Sequence, residues 1–379
     1  MVYPFIPAFG RALGVELRDI TTALSIRSAA GMLGPFLASS ADSRGRKVGM
    51  ILGQALFMAG VAAVVLFPSY PTFVLALTLT LLGHLVFIPS MQAFLGDRVA
   101  YQRRALVLAL TELSWSLSFI LLVPLVGLAL EHRSWTFVYL ILGGLALAGL
   151  VWIVLIVPHT PPADKQSNLV NNIRAVLGSR AGRFGLLYGA MFSAANEAIN
   201  VVFGHWLENA FEVRIAALGI TAIVIGLAEL SGEVLVGGLA DRLGKVRSAT
   251  LGLSLNSLAA VGLALVGQNL PLALAGLAFF YLTFEFSLVS SIPLMTEVLP
   301  GTRATFMASY IASMALGRSL GAFIAPFPYA LGQRLAWLPG SEVSTGVLVN
   351  SGVTVLLNLL ALWALFTLAR RLRHAGWEE

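Results

Sequence analysis

The chain has 379 residues, 58% of them hydrophobic and only 11% charged, where a soluble domain carries about 25% charged residues. So few polar groups cannot cover a globular core, and the solvent for most of the chain must be lipid. The net charge of +6 and the pI near 9.9 raise nucleic-acid binding as a reading until the positive charges are placed.

The first element is an apolar stub, residues 1–9 (MVYPFIPAF), too short to cross a bilayer and without the basic start and small-residue cleavage site of a signal peptide. Eleven apolar stretches follow, at roughly 21–41, 48–68, 72–95, 105–130, 134–158, 184–206, 216–240, 248–268, 271–295, 304–328 and 345–369. Each is long enough to span about 30 Å of hydrocarbon as a helix. Their apolar runs are continuous, without the alternation a membrane β-barrel requires, so the expected fold is an all-α polytopic membrane protein.

Lys and Arg set the orientation. Seventeen of the 24 fall in loops on one side, including Arg46, Lys47, Arg98, Arg103, Arg242, Lys245, Arg247, Arg303 and the C-terminal Arg370, Arg371 and Arg373. That side is expected to be cytoplasmic, which puts the C-terminus inside and the protein in a cytoplasmic (plasma) membrane. The high pI is then a positive-inside signature, and no nucleic-acid partner is expected.

The longest polar interruption, 159–182, divides the chain into an N-terminal bundle, 1–158, and a C-terminal bundle, 183–379. The halves repeat. ADSRGRK, with Asp42, Gly45 and Arg46, and GGLADRLGKVR, with Gly237, Asp241, Arg242, Gly244 and Arg247, place their Asp residues 199 apart, by 241 minus 42. Asp97 with Arg103, and Glu297 with Arg303, repeat a second spacing at an offset of 200, by 297 minus 97.

These loops match G-x-x-x-D-R-x-G-x-x-R in the second half and a degraded copy in the first, where Ala38 and Ser43 replace two motif residues. On that basis the chain resembles the major facilitator superfamily of secondary transporters. The resemblance implies two pseudo-symmetric six-helix bundles around a cavity opening alternately to either side. It also implies a gating role for the loops, with Asp42 facing the helix that starts near Arg303 and Asp241 the one near Arg104. An acid against a helix N-terminus is the physical basis of such a latch. The repeat offset places the start of the first helix before Met1, so the stub is expected to be that helix's outer end, and Met1 a mis-assigned internal start.

Charges within spans are the site candidates, since one at the bilayer centre costs ~2.5 to 3.5 kcal/mol on the insertion scale. Counted at 1.5 Å per residue from the basic side, Arg27, Arg318, Glu197, Glu285 and Glu229 lie ~18 to 22 Å deep, with His84 at ~20 Å and Glu112 and Glu233 at ~12 Å. Glu197 and Glu285 suit a cationic group or a proton. His84 is read as packing ahead of titration. Arg27 and Arg318 would bind an anion or, by the preferred reading, neutralise Glu229 and Glu197, while Glu112 and Glu233 are either a proton-sharing pair or two independent groups. Asn196, Asn256 and Gln92 are polar groups of open facing, and Trp115, Trp152 and Trp206 are read first as interface anchors. GMLGPFLASS and GRSLGAF are expected to permit close helix packing. In the fifth helix only Pro124 and Gly127 match an antiporter signature.

With no Cys, five His and no G-x-x-x-x-G-K-[ST] loop, neither an enzyme, a cofactor, a metal nor ATP drive is expected. The expected function is secondary transport of a small organic molecule, coupled to protons and directed to export, by a monomer among membrane lipids. Uptake or exchange of an organic anion or sugar is the rival within transport. A membrane scaffold with an incomplete cavity is the rival outside it.

Overall fold

The computed structural model describes residues 2–34, 36–37, 45–98, 117–158, 169–299, 303–337 and 342–374. Among these residues the chain is helical and has no strand, because in lipid a helix satisfies its own backbone. A 3-10 turn, Tyr3–Phe5, leads into α1 (Ile6–Leu13), which Gly14 ends in a left-handed cap at φ +67°. Next come α2 (Leu17–Ala30), opened by a Glu16–Asp19 capping box, α3 (Arg46–Leu66) and α4 (Tyr70–Arg98). A π-turn, Ser118–Leu122, precedes α5 (Val123–His132), followed by α6 (Trp135–Ile156) and α7 (Leu169–Gly178). The rest of the chain forms α8 (Arg180–Asn200), α9 (Phe203–Phe211), α10 (Ile215–Leu243), α11 (Lys245–Ala264), α12 (Leu270–Glu297), α13 (Arg303–Ile324), α14 (Pro326–Leu335) and α15 (Glu342–His374).

Where its residues are described, each expected span coincides with helix, with four adjustments. The first begins earlier, at Leu17, and runs on from α2 through a 3-10 turn, Gly31–Leu33, to helical residues at 36–37. The stretch expected at 184–206 is two helices divided by a turn at Val201 and Val202, and the one at 304–328 breaks at Ala325, before the Pro326 that opens α14. Of the stretch at 105–130, only residues from 117 on are described. Among the described residues seven helical stretches are long and apolar enough to span a membrane, with α8 and α9 counted as one; α11 and α13 are more polar.

The helices form two pseudo-symmetric bundles. In the first, α3 packs on α4 and α6; in the second, α11 packs on α12 and α15, and α8 on α13 and α15. The duplication is visible in backbone detail. Gly45 (φ +99°, ψ 149°) and Gly244 (φ +87°, ψ 152°) cap α3 and α11 in the same conformation, which is essentially restricted to glycine. Gly53 lies against Phe87 and Gly252 against Ser287, so closely that a Cβ would come within 2.8 and 2.7 Å of the facing Cβ. These contacts are offset by 199 and 200 residues, by 252 minus 53 and 287 minus 87.

Where the bundles meet, α2 packs on α13, α5 on α10 and α1 on α9. Within the second bundle one face of α15 is stitched by hydrogen bonds: Asn350 Nδ2 donates to the Ala198 carbonyl at 2.7 Å, Ser351 Oγ to Ala260 at 2.6 Å and Asn358 Nδ2 to Asn256 Oδ1 at 3.0 Å. Asn256 is therefore core adhesive. The expected close packing of GRSLGAF is also present, since a Cβ on Gly317 would run into the Ala190 carbonyl of α8 and one on Gly321 would meet Glu197 Cβ at 2.9 Å.

Gly317→Ala should force α8 and α13 apart and cost about 1 to 3 kcal/mol. Gly352→Ala, where nothing lies within 4 Å, should be neutral or gain about 0.5 to 1 kcal/mol from helix propensity. Denaturant unfolding in detergent micelles compares the two, and equal stabilities would remove the close-packing account.

Candidate functional site

Glu197 lies on α8 with no exposed surface. Its two carboxylate oxygens are held from different parts of the chain. Tyr3 Oη donates to Oε1 at 2.8 Å, and Asn200 Nδ2 donates to Oε2 at 3.2 Å. Arg27 Nη1 donates to the Tyr3 hydroxyl at 3.4 Å, and the Tyr281 hydroxyl donates to Asn200 Oδ1. The chain of groups Arg27, Tyr3, Glu197, Asn200 and Tyr281 thus crosses from α2 and the stub to α8 and α12.

The stub brings Tyr3 here because Pro4 and Phe5 are buried against the second bundle, where the Tyr3 and Pro4 carbonyls approach Gly204 of α9 so closely that a Cβ there would lie 2.8 and 2.7 Å away. Beside this network Ser25 Oγ donates to the Ser319 carbonyl at 2.8 Å and lies 3.0 Å from Ser319 Oγ, joining α2 to α13 across the two bundles.

The other intramembrane candidates surround it. Arg27 and Arg318 both interact electrostatically with Glu197 and with His84. Glu285 interacts with Glu229, Glu233 and Arg318, and Tyr281 with Glu229 and Glu197. Arg318, His84 and Glu233 are exposed, while Arg27, Glu229 and Glu285 are half-buried. Seven of the eight residues picked out by depth therefore form one electrostatic cluster. Glu112, with its proposed partnership to Glu233, lies outside the described residues, as does Trp115.

One expectation changes and another gains detail. Arg27 and Arg318 were expected to neutralise Glu229 and Glu197; both act electrostatically on Glu197, while Tyr3 and Asn200 hold its two oxygens and Arg27 donates to the tyrosine hydroxyl. A neutral donor can approach a buried carboxylate without bringing a second charge out of water. His84 has an exposed side and interacts with Arg27 and Arg318. Trp206 is no interface anchor, being 2% exposed with its ring 5.6 Å from that of Phe211, whereas Trp152 is 66% exposed. Asn196 is buried.

Depth reasoning missed Tyr3, Asn200 and Tyr281. An uncharged hydroxyl or amide gives little signal in an apolar span, but Asn200 at i+3 from Glu197 was a readable helical pair.

At the face away from the motif loops the bundles are joined by polar contacts. Glu131, ending α5, accepts from the Ala216 backbone N–H at 3.0 Å, in the first turn of α10, where a helix offers unpaired N–H groups and a positive dipole end. Arg11 Nη1 lies 2.6 Å from Glu208 Oε1, and the Arg18 guanidinium sits 5.1 Å over the Phe327 ring. Gly219 of α10 lies close against Pro124 of α5.

At the motif face Lys245 Nζ meets Glu297 Oε1 at 2.9 Å, and Lys47 Nζ donates to the Val154 carbonyl at 2.8 Å. Arg46, Gly237, Arg242 and Arg247 lie at this face. Asp42 and Arg103 are outside the described residues, and of Asp241 and Arg303 only the backbone is described.

The Major Facilitator Superfamily profile matches residues 1–326. The chain belongs to the Major Facilitator Superfamily. As a member of it, the protein is a membrane transporter. It is similar to the uncharacterized MFS-type transporter YwfA of Bacillus subtilis (strain 168), at 24% identity over 356 residues covering 88% of this chain and 82% of that one. A second such transporter of that strain, YceJ, is 25% identical over 221 residues, covering 57% and 55%.

Among solved structures, the nucleoside transporter NupG superimposes with a TM-score of 0.75 at 15% identity, over 96% of this chain and 94% of that one. A POT family transporter in complex with a thioalcohol conjugated peptide gives 0.75 at 12%, over 94% and 92%, and a D-xylose-proton symporter 0.71 at 16%, over 95% and 92%. At these identities the likeness is one of fold.

Tyr3→Phe deletes a donor to a buried carboxylate and should lower stability by about 1.5 to 3 kcal/mol. In a Glu197→Gln background the same change should cost about 1 kcal/mol or less, since the acceptor is then neutral. A double-mutant cycle by denaturant unfolding in detergent checks this, and additive losses would break the assigned bond.

Proposed function

We propose that this transporter moves a small organic molecule by alternating access, coupled to protons, in the direction of export from a cytoplasmic membrane, with the motif loops and the C-terminus inside. The observation that carries the reading is Glu197, a fully buried carboxyl group held across the two bundles by Tyr3. Adding or removing one proton there changes a bond that joins the moving parts. Glu229 and Glu285, half-buried in the same cluster, are the groups proposed to receive a cationic or hydrophobic cargo, with His84 and Glu233 beside them. The Glu131, Arg11 and Arg18 contacts support a conformation closed at the outer face and facing inward, as an exporter loading its cargo would be. We assign the motif loops, through Asp42 and Asp241, the reciprocal closure at the inner face, and the working unit is a monomer.

The exposure of Arg318 and the half-burial of Arg27 favour one second reading: uptake or exchange of an organic anion or sugar, with the guanidinium groups receiving the cargo.

The deciding measurement is lumenal pH in proteoliposomes challenged with a panel of cations, anions and sugars. A cation from the panel should move protons, and Glu197→Gln should cut that flux at least tenfold while purified yield and insertion are unchanged. Full flux in Glu197→Gln would end the proton assignment. Flux driven only by anions or sugars and lost in Arg318→Gln would establish the second reading instead.

Asp241→Asn should lower transport severalfold without lowering membrane insertion. Unchanged flux in that variant would remove the inner closure.

A further inference from the structure

At the motif face, α11 begins where α15 ends, and between these antiparallel helices lies a groove of about 500 Å³. Three arginines line it: Arg247 from the first turn of α11, and Arg370 and Arg373 from the end of α15. All three are exposed, and among the described lining residues there is no Asp or Glu.

The groove is layered. Leu251 is four residues inward from Arg247 along α11, and Phe366 four residues inward from Arg370 along α15, each ~6 Å deeper at 1.5 Å per residue. Both are lining residues and are 42% and 45% exposed, on the open side of the helices. A ring of guanidinium groups at the helix ends therefore stands over an apolar lane one turn below. Of the neighbouring cations, Lys245 meets Glu297 and Arg371 lies 5.6 Å from the Phe184 ring.

We propose that this groove is a binding site for an anionic glycerophospholipid. The phosphodiester is held by Arg247, Arg370 and Arg373, whose planar donor forks suit phosphate oxygens, and an acyl chain lies along Leu251 and Phe366. A basic recess between membrane helices is where such headgroups are retained beyond the general attraction of a charged surface. The site is separate from the Glu197 cluster and does not depend on what the transporter carries.

Native mass spectrometry of the detergent-purified full chain tests it, using phosphatidylglycerol and phosphatidylcholine at equal concentration. Phosphatidylglycerol adducts should be at least fivefold more abundant. The triple variant Arg247→Gln, Arg370→Gln, Arg373→Gln should bring them to the phosphatidylcholine level, and Arg370→Gln alone should reduce them about threefold, which keeps the test open if the triple variant does not fold. Removing the same number of charges by Arg174→Gln, Arg180→Gln and Arg183→Gln should leave the adducts in place. Equal binding of the two lipids, adducts that survive Arg370→Gln and the triple variant, or an equal fall in the control would each overturn the proposal. Displacement by an equal concentration of glycerol phosphate would also overturn it, marking a pocket for free phosphate esters.

Discussion

A carboxylate with no exposed surface in the middle of a membrane protein has to be surrounded by donors, and Glu197 draws them from both bundles. Water cannot supply them there, and each unmet lone pair would add its own desolvation cost. The consequence reaches far beyond one residue. Tyr3 can approach Glu197 only because the stub lies along Gly204, and α8 can carry the carboxylate against α13 only because Gly321 leaves room for its Cβ. The stub, the break after Asn200 and the glycine face of α13 are all conditions for holding one acid at that depth.

In lipid, apolar burial gives little preference for one helix arrangement over another, so the bundles rely on close backbone approach and on hydrogen bonds. The two are divided between elements. The pairs α3 with α4, α11 with α12 and α8 with α13 meet through glycine, whereas α15 carries Asn350, Ser351, Thr354 and Asn358 to carbonyls and side chains of α8 and α11. A glycine contact tolerates sliding along the helix, but a hydrogen-bonded stripe fixes register. The second bundle therefore has a pinned outer helix, α15, and a smooth seam where α8 meets α13, beside the junction with the other half.

How much of this could be read from the amino-acid sequence depends on how sharply a residue type contrasts with lipid. Charges contrast most, and depth counting alone collected Arg27, Arg318, Glu197, Glu229, Glu233, Glu285 and His84 into what the fold makes one cluster. Glycines contrast through spacing, and the 199-residue offset of the two motif loops reappears as matching backbone torsions at Gly45 and Gly244. Hydroxyls and amides contrast least. Nothing in MVYPFIPAF sets the Tyr3 hydroxyl apart, and its role follows from a packing arrangement that periodicity does not encode. Helix breaks are similarly muted: the turn at Val201 and Val202 involves two β-branched residues and neither Pro nor Gly, so the expected span ran through it.

The two faces of the molecule use one electrostatic device in different places. Motif-loop acids were the expected partners for helix N-termini, yet the described contact of that kind is Glu131 on the start of α10, at the other face. A positive-inside tally registers the sign of a residue and the side it lies on, but not what it caps. The bond is worth most while the first turn of α10 is within reach, and at an exposed site it is screened by salt and falls off within a turn of displacement. A contact of that range suits a closure: it adds little to the cohesion of either bundle, and it discriminates between two arrangements of the bundles that differ by a few ångströms at their ends. Glu208 with Arg11 has the same character, being half-exposed and joining α9 to α1. The buried core around Glu197 and the exposed contacts at the rim therefore have different physical roles, the first requiring a fixed set of donors and the second responding to how far apart the bundles stand.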